Sequence, residues 1–371
     1  MKEGARGGTV GSSAQIRLAR PSIGSEELDE VAEVLESGQL TMGPKVVEFE
    51  RLIAEAAGTP HAVAVSSGTA ALHLSVLALG FTEDDEVIVP AYTFPATANT
   101  VTVDGAQPVL VDVDPVTMNL DVDQVAAALT PRTRGVIGVH LFGRPMDWEA
   151  LQDAVPDDIP MIEDAAGALG ARRRGRSCGS LGTLGCFSFH PRKTVTTGEG
   201  GAVTTFNDDE ANAIREARNH GWRPPDNEEM AVPGLNYRLS DILCAVGIPQ
   251  LRRLDELLSA RERLADGYAE RLGGVEGIVL PGADEGDRHG WQAYVVQVDG
   301  RDEILTALRA QGIEAQIGTY ALHRLAAYRD QGDFPGADAA FARALALPFH
   351  TELSDGELDR VAEALTALVS N

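Results

Sequence analysis

Residues 184–205 read LGCFSFHPRKTVTTGEGGAVTT and contain two short apolar runs. Leu184–Ser188 and Ala202–Thr205 predict strands, because each is a run of apolar and β-branched residues bounded by turn signals. The loop between them carries Lys193 among small and hydroxylated residues, and the glycines of GEGG permit the positive φ values of a tight turn back into a strand. The segment therefore predicts two strands joined by a loop that holds a lysine.

Seven such runs, separated by helical segments, occur between residues 62 and 205. The runs are Ala62–Val65, Glu86–Val89, Pro108–Val111, Gly135–His140, Met161–Glu163, Leu184–Ser188 and Ala202–Thr205. Apolar strands that alternate with helices are typical of a mainly parallel sheet with both faces buried. We therefore expect an α/β fold in which helices cover both faces of a mainly parallel, seven-stranded sheet.

The residues before the first strand predict a tail and two helices. Residues 1–15 are rich in glycine and serine and are expected to be disordered. Gly24–Ser37 is predicted to form a helix that Ser25 caps, and Val46–Ala57 is predicted to form a second helix. Lys45 lies just ahead of this second helix, in the turn-like stretch TMGPK.

A second unit is predicted in the C-terminal third of the chain. A long charged helix, PQLRRLDELLSARERLADGYAERL, begins near Ile248 and leads to a strand, WQAYVVQV, and to helices near Arg301–Gln311 and Ser354–Val369. We expect a large domain at residues 16–250 and a smaller C-terminal α+β domain at residues 251–371.

The composition limits the classes of partner. The formal net charge is -25 and the pI is about 4.6, whereas nucleic acid and anionic membrane surfaces bind clustered Lys and Arg. No apolar run reaches the roughly 18 residues of a membrane-spanning helix, and the N-terminal residues lack the apolar stretch of a signal peptide. We expect a cytoplasmic protein that binds neither nucleic acid nor membranes.

The cysteines and histidines do not predict a metal site. Cys178, Cys186 and Cys244 are odd in number and have no metal-like spacing. The eight histidines contain no HExxH pairing. Three reduced thiols and no bound metal are expected.

Lysine is scarce, because the chain contains only Lys2, Lys45 and Lys193. Lys2 lies in the tail and Lys45 in a turn, so that only Lys193 follows a predicted strand. A lone lysine is usually exposed. A lysine that is screened from water near a second cation, however, has a lowered pKa and can act as a nucleophile and then as a base. The setting of Lys193 favours this second role.

Small and polar clusters follow three of the predicted strands: SSGTAA, EDAAGALG and SFHPRKTVTTGEGG. Ligands of parallel sheets bind beyond the carboxyl ends of the strands. Ser66–Thr69 precede a predicted helix at Ala70–Leu79, and a helix N-terminus with hydroxyl groups is an anion site. Plain capping of that helix is the alternative. Ser188, in the third cluster, could donate to a phosphate.

Asp164 ends the segment MIED and precedes the small residues Ala165 and Ala166. A carboxylate in an apolar neighbourhood is costly unless a cation meets it. A protonated pyridine nitrogen would meet it, and the ion pair would keep the ring an electron sink. The two alanines lack bulk and would let a flat ring lie against the backbone. A helix-capping aspartate is the alternative interpretation.

The order and spacing of these segments resemble the DegT/StrS family of pyridoxal-phosphate-dependent nucleotide-sugar aminotransferases, which have the aspartate aminotransferase fold (fold type I). The resemblance extends from about Ile16 to the C-terminus. The segments that carry it are SGQLTMGPKVVEFE, SSGTAALHL, DEVIVPAYTFPATANTV, GAQPVLVDVDP, VHLFGRPMD, IEDAAGALGA, SFHPRKTVTTGEGGAV and LNYRLSDI.

The resemblance implies where the cofactor binds. Lys193 would hold pyridoxal phosphate covalently as a Schiff base, and Asp164 would pair with the pyridine nitrogen. Gly68, Thr69 and Ser188 would hold the phosphate.

Three further positions complete the site that the resemblance implies, and a fourth departs from it. Phe94 would stack on the ring, and Ala166 would lie against it. Asn236 would reach the phosphate of the neighbouring subunit's cofactor, so that a homodimer with shared active sites is expected. This chain departs from the family at Gly167, where a Gln, His or Glu commonly follows the two alanines and can contact the ring hydroxyl.

The implied reaction is a ping-pong transamination. L-glutamate would give its amino group to the cofactor, leaving pyridoxamine phosphate, and a nucleotide-linked keto sugar would then accept it. HPRKTVTTGEGG with IGTYALH most resembles enzymes of deoxyamino-sugar biosynthesis that aminate C4, and dTDP-4-keto-6-deoxyglucose is the first expectation. Amination at C3 of a 3-keto sugar is the second. Arg238, Tyr320 and His323 are the candidate substrate-binding residues, with an ordinary surface loop as the alternative for the last two.

Three other functions are less well supported. A sugar dehydratase of the same fold uses a histidine where Lys193 stands, and a non-catalytic regulatory protein would not need Lys193 and Asp164. A nicotinamide-binding enzyme would show GxGxxG after an early strand, which this chain lacks. The run Arg172–Arg174 is expected to be a solvated loop, because charge runs usually lie on the surface.

Overall fold

The computed structural model describes residues 15–223, 229–329 and 331–370. The predicted disordered tail, residues 1–15, lies outside these residues except for Gln15. No helix in the described part of the chain is both long and apolar enough to cross a membrane. The three cysteines are buried as free thiols.

Seven strands form the large sheet. They are β1 His61–Val65, β2 Glu86–Pro90, β3 Gln107–Val111, β4 Thr133–Val139, β5 Met161–Asp164, β6 Leu184–Ser188 and β7 Gly201–Thr205. They lie in the order β1-β7-β6-β5-β4-β2-β3, and β7 is the strand that runs antiparallel to its neighbours. The predicted mainly parallel, seven-stranded sheet is confirmed.

Both faces of this sheet are buried. In β2, Val87 and Val89 belong to one core cluster and Ile88 to the other. Successive side chains of a strand point to opposite faces, so each strand contributes apolar side chains to both cores. For this reason the strands appear in the sequence as continuous apolar runs rather than as alternating ones.

Helices cover the two faces and form most of the C-terminal part. Among the described residues the α-helices are α1 Ser25–Ser37, α2 Pro44–Ala57, α3 Gly68–Leu79, α4 Ala96–Val103, α5 Val122–Ala128, α6 Trp148–Ala154, α7 Asp208–Arg218, α8 Asp241–Arg252, α9 Leu254–Leu272, α10 Arg301–Ala310, α11 Pro335–Arg343 and α12 Asp355–Val369. Helices α3, α4 and α7 contribute to one core of the sheet, and α2, α5, α6 and α8 contribute to the other.

A smaller antiparallel sheet lies in the C-terminal part. Its strands are β8 Ile278–Val279, β9 Tyr294–Val298, β10 Gln316–Ile317 and β11 Ala344–Leu347, in the order β8-β9-β11-β10. Its core extends from Leu264 to Leu365 and includes Ile16. Helix α9 joins the two parts, because Leu257 packs in the large-sheet core and Leu264 in the small-sheet core. The domain division near residue 250 stays a prediction.

Three local predictions need correction. The helix predicted from Gly24 is not capped by Ser25: Gly24 is the N-cap, and its N–H donates to Oε2 of Glu27 at 2.6 Å. The long charged helix is two helices that meet at Arg253. The strand WQAYVVQV begins only at Tyr294, because Trp291 has a φ of +45°, which interrupts an extended chain.

The expected solvated arginine loop is wrong for Arg173. Arg172 and Arg174 are exposed, but Arg173 is only 1% exposed. Its guanidinium forms ion pairs with four carboxylates, those of Asp147, Glu149, Asp284 and Asp287, at 2.7–3.1 Å. Because two of these residues precede β5 and two precede β9, the arginine ties the large-sheet part to the C-terminal part.

Candidate active site

A cavity of about 560 Å³ lies at the edge of the large sheet where the parallel strands end. Its lining includes residues that directly follow β1 and β4 and residues that end β5 and β6. It also includes every residue for which the sequence predicts a cofactor contact within one subunit: Gly68, Thr69, Phe94, Asp164, Ala166, Ser188 and Lys193. Residues far apart in the sequence are thus brought into one cavity.

Gly68 brings the start of α3 close to the end of β6. A Cβ at Gly68 would lie 2.7 Å from Cβ of Ser188 and 3.2 Å from its Oγ, so no larger residue fits without movement. Oγ of Ser67 caps the helix by accepting the N–H of Ala70 at 3.0 Å. Because the first N–H groups of a helix have no partner within it, those of Gly68 and Thr69 join the Ser188 hydroxyl in a corner suited to an anion.

Asp164 is a buried carboxylate at the end of β5, only 5% exposed. Its Oδ2 accepts the O–H of Thr97 at 2.7 Å, and its Oδ1 accepts the N–H of Ala166 at 3.2 Å. No ion pair within the described ranges includes this carboxylate. Hydrogen-bond donors therefore hold the charge in place without neutralising it, and a cationic group in the cavity would be attracted to it.

Lys193 lies in a loop that its own backbone closes. The N–H of Phe189 donates to the Gly200 oxygen at 2.8 Å, and the N–H of Thr197 donates to the Phe189 oxygen at 3.0 Å. Gln250 of α8 bonds both the N–H and the oxygen of Thr196, at 3.0 and 2.8 Å. These contacts fix the loop against the large sheet, so that Lys193 has a defined position in the cavity.

The environment of Lys193 makes its amine easier to deprotonate. Burial lowers the pKa of Lys193 below the ordinary value of 10.5, and the nearby positive charge of Arg192 lowers this pKa further. The Asp164 carboxylate acts in the opposite direction. The net lowering of the pKa increases the fraction of neutral amine, which is the form that acts as a nucleophile or a base.

Phe94 and Tyr320 lie together at the rim of the cavity. Phe94 is 61% exposed, and its ring centroid lies 6.3 Å from that of Tyr320 in an edge-on arrangement. Tyr320 forms a two-residue antiparallel pairing with Thr93, which itself lines the cavity. Tyr320 is not among the lining residues, but it is next to them.

Three other predicted site residues lie outside the cavity lining. Asn236 is exposed, and Arg238 donates from Nη1 to Oδ1 of Asn219 at 2.7 Å. The segment that carries them lies against the end of β1, because the N–H of Ser66 donates to the Tyr237 oxygen at 2.8 Å. His323 has its Nε2 3.0 Å from Oδ1 of Asp338 and packs its ring on another aromatic side chain.

The sequence did not predict two residues that have clear roles in this geometry. Thr97 holds Asp164, and Gln292 lines the cavity from the C-terminal part of the chain. Thr97 lies within YTFPATANTV, so its hydroxyl was visible, but nothing in the sequence pairs it with a carboxylate 67 residues later. The sequence predicts a strand at Gln292, which gives its side chain no special role.

Comparison with known proteins gives the family. A model of the DegT/DnrJ/EryC1/StrS aminotransferase family matches residues 21–366. The chain belongs to this family. GDP-perosamine synthase of Caulobacter vibrioides is 39% identical over 361 residues, which cover 95% of this chain and 97% of that protein.

Two solved structures show the same fold over nearly the whole chain. The Streptococcus pneumoniae protein Spr1654, described as a sugar aminotransferase and solved in its PMP-form, is 32% identical with a TM-score of 0.92, covering 96% of this chain and 98% of that one. DesI, solved in the presence of its TDP-sugar product, is 35% identical with a TM-score of 0.91, covering 97% and 94%. The chain is therefore a sugar aminotransferase that depends on pyridoxal phosphate.

The residues of the cavity fit this cofactor. Pyridoxal phosphate carries an anionic phosphate, a ring nitrogen that can be cationic and an aldehyde that reacts with an amine. The corner at Gly68 and Ser188 is suited to the anion, Asp164 is a buried carboxylate without a cation, and Lys193 is an amine with a lowered pKa.

Proposed function

We propose that this enzyme transfers the amino group of L-glutamate to a nucleotide-linked keto sugar, and that the acceptor is dTDP-4-keto-6-deoxyglucose, aminated at C4. The observation that carries the proposal is the shared cavity of Lys193 and Asp164, in which a lysine of lowered pKa faces a buried carboxylate that has no cationic partner.

In the proposed site the polar groups of the chain divide the binding of the cofactor among them. Gly68, Thr69 and Ser188 hold the phosphate, Asp164 pairs with the ring nitrogen, and Lys193 binds the aldehyde carbon. Bound pyridoxal phosphate supplies a carbonyl that condenses with amines and a ring that accepts electrons from the substrate carbon. The small side chain of Ala166 and the ring of Phe94 offer two surfaces against which a flat ring can lie.

Thr97 keeps Asp164 ready for this task. The hydroxyl of Thr97 and the N–H of Ala166 each donate to one oxygen of the Asp164 carboxylate and so fix its orientation. Since Thr97 is itself buried, its hydroxyl cannot turn to solvent, and its bond to Oδ2 persists. We propose that Thr97 positions the carboxylate toward the ring nitrogen.

Lys193 also moves the proton. Burial and the nearby charge of Arg192 lower the pKa of the Lys193 amine, which favours the neutral form that can accept a proton. We propose that this amine would take the proton from Cα of glutamate and would give it to the carbon of the cofactor that Lys193 otherwise holds. The same amine acts in the reverse direction when the keto sugar is the substrate.

The most detailed part of the proposal is which nucleotide the sugar carries. The resemblance of HPRKTVTTGEGG with IGTYALH to C4-aminating enzymes favours a dTDP-sugar, and DesI was solved with a TDP-sugar product. A GDP-sugar is the second candidate, because GDP-perosamine synthase is 39% identical over 95% of this chain. We propose that Tyr320, Arg238 and His323 contact the sugar nucleotide; the position of Tyr320 beside Phe94 at the rim supports its part.

We also propose a homodimer in which Asn236 of one subunit reaches the phosphate in the other. Asn236 is exposed, although it lies close to the end of β1. A group of exposed apolar side chains on α1, on α2 and between them supports a subunit interface nearby: Leu28, Leu35, Leu40, Met42 and Val47. Large exposed apolar patches mark interaction surfaces.

The visible absorbance spectrum tests the cofactor assignment. Purified enzyme with pyridoxal phosphate should show a visible band that borohydride removes, and Lys193→Ala enzyme should show no such reducible band. Lys45→Ala is the matched control, because Lys45 is a lysine outside the cavity that pairs with Glu30 and Glu33; this variant should retain the band. A reducible band in Lys193→Ala enzyme would overturn the assignment.

The two half-reactions test the substrates separately. Incubation with L-glutamate alone should convert the band to that of the pyridoxamine form, and its persistence would contradict the proposed donor. A panel of 3-keto and 4-keto sugars linked to dTDP, UDP and GDP should then restore the original band only with the true acceptor. NMR of the product identifies the aminated carbon, and amination at C3 would contradict the proposed position.

A further inference from the structure

Gln292 lies over Gly167 in the cavity. A Cβ built on Gly167 would lie 3.3 Å from each of Cβ, Cγ and Oε1 of Gln292, so the glutamine occupies the space that a side chain at position 167 would need. Nε2 of Gln292 donates to the main-chain oxygen of Arg192 at 3.1 Å. The side chain therefore connects the segment that follows Asp164 with the loop that carries Lys193.

The backbone before Gln292 has an unusual conformation. Trp291 has a φ of +45°, a region that bulky residues rarely adopt. Nδ1 of His289 accepts the N–H of Trp291 at 2.8 Å, and the two rings stack with their centroids 3.9 Å apart. Such strain persists only where surrounding contacts enforce it, and it is found preferentially at functional sites.

Hydrogen bonds hold the backbone of Gln292 from both sides. Nη1 of Arg261 donates to the main-chain oxygens of Trp291 and Gln292, at 2.9 and 3.3 Å. The N–H of Gln292 donates to the oxygen of Phe142 at 3.1 Å, and Phe142 also has a positive φ, of +58°. Burial of a guanidinium is costly unless it is hydrogen-bonded. The guanidinium of Arg261 forms its bonds with the two carbonyls that flank Cα of Gln292.

Gly143 lets the three segments meet. A Cβ at Gly143 would lie 2.9 Å from N of Trp291, 3.0 Å from N of Gln292 and 3.0 Å from O of Gly167. The loop after β4, the segment after β5 and the approach to β9 are thus packed too closely for any side chain between them. The position of Gln292 over Gly167 is a built feature of the fold rather than one rotamer of a surface side chain.

We propose that Gln292 binds the ring hydroxyl of pyridoxal phosphate and that Gly167 is the small residue that makes room for it. The inference rests on the proposed function, in which Asp164, Lys193 and the corner at Gly68 take the ring nitrogen, the aldehyde and the phosphate. The ring hydroxyl is the polar group left over, and it adjoins the aldehyde on the side away from the phosphate.

The amide of Gln292 has the capacity for this contact. It carries two N–H donors and an acceptor oxygen, and the bond to Arg192 uses one donor. The second donor and Oε1 remain for the cavity. An N–H that donates to the ring oxygen stabilises its ionised form, so the bound cofactor should absorb differently when the amide is removed.

The test measures cofactor binding and the absorbance spectrum rather than turnover. Gln292→Ala and the volume-preserving Gln292→Met are each expected to weaken binding of pyridoxal phosphate by about fivefold to tenfold, the effect of losing one hydrogen bond. Both should also shift intensity from the visible to the near-ultraviolet band. The matched control is Gln316→Ala, since Oε1 of Gln316 accepts from Nη1 of Arg192 at 2.6 Å but Gln316 lies outside this cavity. It should alter neither quantity.

Returning the amide from the opposite side is the decisive variant. Gly167→Gln combined with Gln292→Ala should recover at least half of the lost visible intensity, because the two positions share one space. The inference is overturned if both Gln292 variants match the Gln316→Ala enzyme, or if the double variant is no better than Gln292→Ala. Loss of the reducible band in Lys193→Ala enzyme separates the two hypotheses: if that loss occurs while the Gln292 variants are normal, only this inference fails.

Discussion

Gly68→Ala is expected to destabilise the cofactor-free enzyme by about 1–2 kcal/mol, although alanine is the better helix former. Gly68 and Gly356 both lie in the first turn of a helix, α3 and α12. Nothing lies within 4 Å of a Cβ added at Gly356, so Gly356→Ala should stabilise by up to about 1 kcal/mol through helix propensity. At Gly68 the added Cβ would lie 2.7 Å from Cβ of Ser188, and overpacking costs about 1–3 kcal/mol.

Urea unfolding of the cofactor-free proteins measures both free energies. A Ser188→Gly background removes the Cβ and Oγ that crowd position 68 and leaves Cα of residue 188 at 3.4 Å. In that background the loss of unfolding free energy caused by Gly68→Ala should be smaller by about 1 kcal/mol or more. This is the typical size of the coupling energy between two residues in contact. Equal effects of Gly68→Ala and Gly356→Ala, or an unchanged cost in the Ser188→Gly background, would refute the steric explanation of the phosphate corner.

Three further changes probe the buried charges. Thr97→Val should destabilise the cofactor-free enzyme by about 1.5–3 kcal/mol in urea unfolding, because the buried Asp164 loses a donor; an unchanged midpoint would contradict this. The pKa of Lys193 is lower in the folded enzyme than the 10.5 of the unfolded chain, so folding is penalised below the folded pKa and the penalty disappears as pH rises toward 10.5. Lys193→Met should therefore be more stable than wild type at neutral pH, with a gap that narrows at alkaline pH, and a constant gap would count against the burial of the amine. Arg173→Met should lower the free energy of unfolding by about 3 kcal/mol, because four carboxylates lose their cation. Thermal unfolding at the wild-type temperature would show that these ion pairs do not stabilise the fold.

The sheet was predictable because burial on both faces leaves a simple signal in the sequence. In β2, for example, Val87, Ile88 and Val89 are apolar whichever core they face, so the run Glu86–Val89 stands out without knowledge of its neighbours. The cavity was predictable for a related reason. Parallel strands end at one edge, so Gly68, Asp164 and Lys193 had to converge once their strands were recognised.

The residues that support the site were not predictable, because their roles depend on contacts between distant segments. Thr97 bonds a carboxylate 67 residues away, and Arg261 bonds a carbonyl 30 residues away. Arg173 appeared exposed because nothing in the sequence shows that carboxylates from two distant segments surround it. The strand expected at Trp291 fails for the same reason, since the contacts that enforce its positive φ lie outside the strand.

The separation of charge within the cavity explains how one lysine can serve as both anchor and base. If Asp164 formed a close ion pair with Lys193, the carboxylate would hold the proton on the amine, and the amine would be neither nucleophile nor base. The fold avoids this pairing by giving Asp164 two neutral donors, Thr97 and the N–H of Ala166, and by placing the positive charge of Arg192 near Lys193. The carboxylate is thus available to a cationic ring, while burial and Arg192 lower the pKa of the neighbouring amine.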